Sequence, residues 1–442
     1  MKKLILAILV MAESSLLSGA DIRSLYPAAS GAVDIAVFGE NSFILARRAG
    51  NSGGVALFSL DGKISSQPLA SWDYGNRDAK CILPADEPVK MIESPGGGYL
   101  ILSELKSHAA RGSAGVRQSA VWLIKIAATG KEEWSRVHGD STMGFKPFDV
   151  IPTGDSGYLI TGAAVENTVI WKNLIIKTDS RGEIRWKNVL PSSSYAAVSR
   201  IARTTGGYFL FGYDRVQDRV NYLLTRTDLQ GKSLWQKNYP GFGDMLRLPL
   251  VSLEDGRFYA HVKSENRAPR LILFNEGSKS LSDGTVQGLR QTDRLESSVS
   301  MSDGSTVLCG SAENENSDML LCRVGPGNKL LWRKTIHLEV DDLGLHVLRL
   351  NDGFLVIGMM SYSYNYSTQT YSYSHVILKT DMEGNRQWHE PFSVGTADQV
   401  ADAVMLADNR CAILMNTIRN SRQEALVLFT EPGGRPGRIP GR

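Results

Sequence analysis

The stretch Gly157-Tyr158-Leu159-Ile160-Thr161-Gly162, then Asn173-Leu174-Ile175-Ile176-Lys177-Thr178-Asp179-Ser180-Arg181-Gly182, then Trp186, recurs along the chain. The next copy reads Gly207-Tyr208-Phe209-Leu210-Phe211-Gly212, Tyr222 to Asp228, Gly231 and Trp235. Another reads Gly353-Phe354-Leu355-Val356-Ile357-Gly358, Val376 to Asp381, Gly384 and Trp388. Weaker copies end at Gly130 and Trp134 and at Gly327 and Trp332. The unit around Gly256 has no such tryptophan, and the first unit (Phe43 to Gly62) and the last (Cys411 to Phe429) keep only the strand pattern. Self-similarity at a period of about 50 residues marks a repeat architecture.

Each unit reads as four strands. The apolar runs are short and bounded by turn residues, which favours strand over helix. In Asp-x-x-Gly the aspartate bonds backbone two residues on, and the glycine accepts the positive φ of the turn. A single four-stranded sheet cannot bury both faces, whereas copies stacked around an axis can. The expected fold is therefore all-β, a β-propeller of about eight four-stranded blades, with seven as the alternative. Residues 21 to 33 are the candidate for the strand missing from the last unit. Trp134, Trp186, Trp235, Trp332 and Trp388 follow the turn glycine by four or five residues and read as structural packing residues of the repeat.

The chain has 442 residues and a formal net charge of +3, without the broad positive field of a nucleic-acid binder, so no nucleic-acid partner is expected. Lys2 and Lys3 precede the apolar run from Leu4 to Ala12, and Ser18-Gly19-Ala20 offers small residues for a signal peptidase. That run is too short to span a bilayer. The expected organisation is a signal peptide at 1–20, a propeller at 21–430 and a flexible Gly/Pro/Arg tail at 431–442. The protein is expected to be exported, periplasmic or extracellular, monomeric and without a membrane span. Cys81, Cys309, Cys322 and Cys411 form no CxxC or Cys/His cluster. A bridge between Cys309 and Cys322 and a pair of buried free thiols are equally open readings.

The pattern GGYLxxG…LIxKTDxxGxxxW resembles the secreted bacterial β-propeller repeats grouped near the quinoprotein-like (PQQ-like) propellers, over roughly residues 34 to 430. It is loosely similar to the propeller scaffold subunit of the outer-membrane barrel assembly machinery, whose lipidation cysteine is absent here. True quinoprotein dehydrogenases would imply a vicinal cysteine pair and a metal-binding Glu/Asn/Asp set. The chain has no adjacent cysteines, so the resemblance implies the fold, and no cofactor is expected.

Seven histidines are scattered over different units with no zinc-ligand or hydrolase spacing. No GxSxG elbow or phosphate-binding GxxxxGK occurs. Asp179, Asp228 and Asp381 sit at turns, with too few carboxylates per loop for calcium, so no catalytic set or metal site is expected. The unusual segment is 361–374, where serine alternates with Tyr362, Tyr364, Tyr366, Tyr371 and Tyr373. It reads either as an extended hairpin or as a contact surface, since tyrosine gives large amphipathic contact area at low entropic cost. A second insertion, Ser107 to Gln118, reads as a flexible loop. The expected function is a non-enzymatic binding or scaffolding propeller that meets a protein or cell-surface glycan through loops on one face. The alternative is a glycan-active hydrolase or lyase, or a degenerate oxidoreductase, with an axial-channel site.

Overall fold

The computed structural model describes side chains over most of residues 89–239 and 286–435, and outside these only backbone strands between 21 and 88 and between 240 and 285. The expected signal peptide, Cys81, the 107–118 insertion and the turn glycines Gly62, Gly130 and Gly277 lie outside the described residues. The chain divides into two compact units, one of residues 27–266 and 270–284, the other of residues 1–26, 267–269 and 285–442.

Every described strand belongs to a four-stranded antiparallel sheet. In the blade spanning 144–189 the first strand is Gly144–Pro152, the second Tyr158–Glu166, the third Ile170–Thr178 and the fourth Ile184–Val189. The same meander builds the blades 87–138, 196–240, 293–336 and 341–392. In the sixth, Thr396–Met405, Cys411–Arg419 and Arg422–Phe429 are completed by Asp21–Ser24, with Asp21 opposite Phe429. Residues from the start of the sequence thus supply the strand that the last unit lacked.

The blade count is a correction. Backbone pairing also forms sheets over 29–73 and 250–285, but their side chains lie outside the described residues. Six blades have described, packed faces, where the repeat led to about eight or seven. Turn glycines count sheets, whereas a blade is counted by the faces it buries against its neighbours. The sheets over 29–73 and 250–285 correspond to the first unit and to the unit around Gly256, two of the three units without a tryptophan after the turn glycine.

Both faces of a blade are covered, which is why its middle strands are continuously apolar rather than alternating. On one face of the 144–189 blade, Tyr158, Ile160, Leu174 and Ile176 pack with Leu100, Leu102, Val121 and Leu123 of the blade before it. On the other face, Leu159 and Ile175 pack with Val198, Tyr208 and Leu210 of the blade after it. Fully burying each such side chain contributes about 1.5–3 kcal/mol.

The fourth-strand tryptophans reach across to the next blade. Trp134 lies over Gly182, Trp186 over Gly231 and Trp332 over Gly384. Trp388 is covered by the Arg435 guanidinium, 5.4 Å from its ring centre. Trp235 lies 5.9 Å from Phe209 of its own blade. In the turn beneath Trp134, Asp179 Oδ1 accepts the N–H groups of Arg181 and Glu183, both at 2.9 Å, and Gly182 has φ +79°. Asp228 and Asp381 accept the equivalent N–H pairs.

Cys309 is paired with Leu321, and Cys322 with Leu308. The one-residue offset turns the two thiols to opposite faces of the sheet, so they cannot be bridged. Cys309, Cys322 and Cys411 are free and buried, and burial pushes the Cys322 thiol up to about 12 and the other two well above the usual thiol range.

A buried cation at the end of the third strand ties that strand to the turn between the first two. Lys177 Nζ donates to Asp155 at 2.8 and 2.9 Å and to Thr178 O at 2.6 Å. Lys379 reaches Asp352 at 2.5 Å, and Arg323 reaches Asp303 and Ser305, both at 2.8 Å. Burial alone would raise the Asp155 carboxyl, but hydrogen bonds from Lys177 and Thr153 and the Lys177 charge outweigh it and hold it at about 2. A depressed carboxyl contributes stability that is present above its unfolded value of 3.8 and is lost as pH falls through about 2. Urea unfolding midpoints of the native chain and Asp155→Asn should therefore differ above about pH 4 and converge near about pH 2. A gap that persists undiminished at the acid end would refute this account of the pair.

Candidate functional site

The tyrosine–serine segment forms the tip of a hairpin that outruns its counterparts. Its strands are Gly353–Asn365 and Thr370–Thr380, of 13 and 11 residues, against nine and nine in the 144–189 blade. Pairing continues past a bulge between Ser361 and Ser363, placing Tyr364 opposite Tyr371 and ending at Asn365 opposite Thr370. Tyr362 is the bulged residue. Tyr366 lies outside the described residues, as do the side chains of Tyr362, Tyr364 and Tyr371.

The foot of this hairpin is fixed by a buried polar network. Tyr373 Oη donates to Asp398 O at 3.5 Å, and its ring meets His375 edge-on at 6.1 Å. His375 is 2% exposed and sits between two carbonyls, Asp398 O at 3.1 Å and Gly358 O at 3.3 Å. Burial lowers the His375 pKa, against the pull of those carbonyls and the Asp398 charge. The Asp398 carboxylate accepts from Ser393 Oγ at 2.9 Å and from Thr417 Oγ1. Of the five tyrosines singled out in the sequence, Tyr373 is thus a half-buried anchor.

A second set of positions was not visible in the sequence. In each of the six blades the first strand carries a bulge, and the residue after it is Lys90, Asp149, Arg200, Ser297, His346 or Asp402. A bulge re-aims its neighbours and frees a backbone N–H. Two of these side chains accept a backbone N–H of the following blade. Asp149 Oδ2 accepts Ile201 N–H at 2.9 Å, and Ser297 Oγ accepts Val347 N–H at 3.2 Å. Asp149, 1% exposed, also accepts Val150 N–H at 3.0 Å and the Lys90 ammonium at 2.5 Å. His346 Nδ1 stands 3.9 Å from Asp402 Oδ1, beyond hydrogen-bonding reach. Chemically, Asp149 is occupied by three donors, which suits a structural clamp rather than a general base.

The sequence did hold a signal for these bulges, in the second glycine of GYLxxG. Gly162, Gly212, Gly310 and Gly358 lie opposite the bulge. A Cβ on Gly162 would stand 2.0 Å from Lys146 O, and one on Gly310 would stand 1.9 Å from Arg294 O. The bulge presses a carbonyl onto the facing strand, and only a residue without Cβ leaves room.

No protein-family model matches the chain, and no curated protein matches its sequence. Among solved structures it is similar to the quinohemoprotein alcohol dehydrogenase of Comamonas testosteroni, at 9% identity and TM-score 0.50, over 96% of this chain and 77% of that one. The WD40 domain of SCAP from fission yeast aligns at 9% identity and TM-score 0.45, over 92% of this chain and 98% of that one. The polysaccharide lyase Uly1 aligns at 10% identity and TM-score 0.45, over 92% and 90%. The first of these likenesses supports the propeller fold, and at such identity it carries the fold alone. No helix among the described residues is long and apolar enough to cross a membrane.

Proposed function

We propose that this chain is an exported, non-enzymatic binding propeller that meets a protein or cell-surface glycan through the tip of its 353–380 hairpin. The observation that carries this reading is the hairpin's extra length on a fixed foot. Pairing continues to Asn365 and Thr370, while Tyr373, His375 and Asp398 hold the base. A rigid base reduces the ordering cost of binding, and tyrosines on such an element supply contact area with few torsions to freeze. Export is supported by the signal-like start, with Lys2 and Lys3 before the apolar run from Leu4 to Ala12, and cleavage after Ala20 would leave the Asp21–Ser24 strand whole.

The test separates the tip from the foot. Tyr362, Tyr364, Tyr366 and Tyr371 are changed to serine together, and Tyr373 is kept for its bond to Asp398. Both proteins are probed on a glycan array and by crosslinking in the cell envelope. A ligand bound by the native chain should bind the variant about a hundredfold more weakly, with the unfolding midpoint unchanged. Equal binding by both proteins would remove the hairpin from the contact surface.

A further inference from the structure

Asp318, His337 and Asp342 come from three separate segments of two consecutive blades. Asp318 is on the third strand of the 293–336 blade, Ser317–Gly325, and His337 follows that blade's fourth strand, Lys329–Ile336. Asp342 is on the first strand of the 341–392 blade, Asp341–Leu350. One donor atom from each lies within 4.8 Å of the other two, and His337 Nδ1 is 2.9 Å from Asp318 Oδ1. We propose that these three side chains form a site for a divalent transition-metal ion of the zinc class, bridging the two blades.

The donor set fits that class. An imidazole nitrogen with carboxylate oxygens is a mixed set suited to zinc and its neighbours, whereas calcium and magnesium prefer oxygen alone. Around a tetrahedral zinc, ligand atoms stand roughly 3.4 Å apart given its usual bond lengths. The His337–Asp318 pair is already near that spacing, and a modest inward turn would bring Asp342 to it. Three protein ligands would leave a fourth position for water, and the His337 side chain is 65% exposed.

Asp342 is prepared for this part. It is 1% exposed, and its carboxylate accepts Leu338 N–H at 2.7 Å and Glu339 N–H at 3.1 Å. Those bonds orient the carboxylate as outer-shell partners orient a metal ligand. On binding, a cation would displace the proton of the His337–Asp318 hydrogen bond and set its charge beside both carboxylates.

The experiment uses the tag-free full chain, dialysed against a chelator and titrated calorimetrically with zinc chloride, with thermal unfolding followed with and without zinc. The expected result is saturable binding and a zinc-dependent rise in unfolding midpoint. His337→Ala should weaken binding about tenfold or more and abolish the rise, and Asp318→Asn should do the same. Asp342 is avoided as the sole test because it also caps backbone. His337 is exposed, so its replacement should leave the zinc-free midpoint in place. No zinc binding by the native chain, or an unchanged isotherm in both variants, would overturn the site. Neither outcome bears on the tyrosine hairpin.

Discussion

Asp149→Ala should lower the unfolding free energy by about 1–3 kcal/mol, the range for leaving a buried backbone donor without its acceptor. The carboxylate joins three blades, with Lys90 donating from the one before and Ile201 N–H from the one after. Val150 N–H donates from its own strand. Its removal leaves a buried backbone donor without its acceptor and an ammonium without its counter-charge. The Lys90 side chain is 36% exposed against 2% for Asp149, so the lysine can turn to water while Ile201 N–H cannot. Most of the loss should therefore come from the backbone donor. Lys90→Met should cost less than Asp149→Ala, and the double variant should cost less than the sum. Urea unfolding of the three variants checks the order. A loss below about 1 kcal/mol in Asp149→Ala would mean that water takes over the carboxylate's bonds.

The parts of the fold legible in the sequence are those made by neighbours along the chain. The Asp-x-x-Gly turns were readable because the aspartate, the N–H groups it binds and the positive-φ glycine lie within five residues, as at Asp179 to Glu183. The extended hairpin was readable because serine and tyrosine alternate with the period of a strand. What escaped were contacts set by strand register and by the next blade. Lys177 and Asp155 are 22 residues apart, and Lys90 and Asp149 are 59 apart. A lysine in LIxKTD reads as an outward-facing residue until the turn folds over it. The Cys309 and Cys322 question also needed register, since a shift of one residue decides whether two thiols share a face. The Asp318–His337–Asp342 grouping is invisible for the same reason, having no spacing that a sequence search would recognise. The blade count shows the converse limit, since the repeat led to about eight or seven whereas six blades have described faces.

Gly182→Ala should destabilise by about 2–4 kcal/mol, through two separable effects. The first is backbone strain. At φ +79° an alanine sits in the left-handed region, at a cost of about 1 kcal/mol or somewhat more. The second is a collision, because the new Cβ would stand 2.5 Å from Trp134 Cζ3 and 2.7 Å from Cη2. The indole is hemmed in, with the Tyr158 ring centre 6.3 Å away and the Arg136 guanidinium 5.8 Å from its own. Glu183 and Gly182 O hold Arg136 and His138, at 2.6 and 2.7 Å, so the neighbouring side chains are latched to the same turn. Overpacking of such a site costs about 1–3 kcal/mol. Trp134→Leu, destabilising alone through lost packing, should remove the collision and leave the strain. Gly182→Ala combined with Trp134→Leu should then be less harmful than the two single effects summed, by about 1–2 kcal/mol. Gly231→Ala with Trp186→Leu repeats the experiment one blade on, where φ is +74° and the indole carbon Cη2 would stand 2.4 Å from the added Cβ. Coupling at both places would establish the glycine–tryptophan contact as the unit by which one blade is fitted to the next. Strict additivity at both would leave the recurring turn explained by its positive φ alone and return the tryptophan to the packing of its own blade.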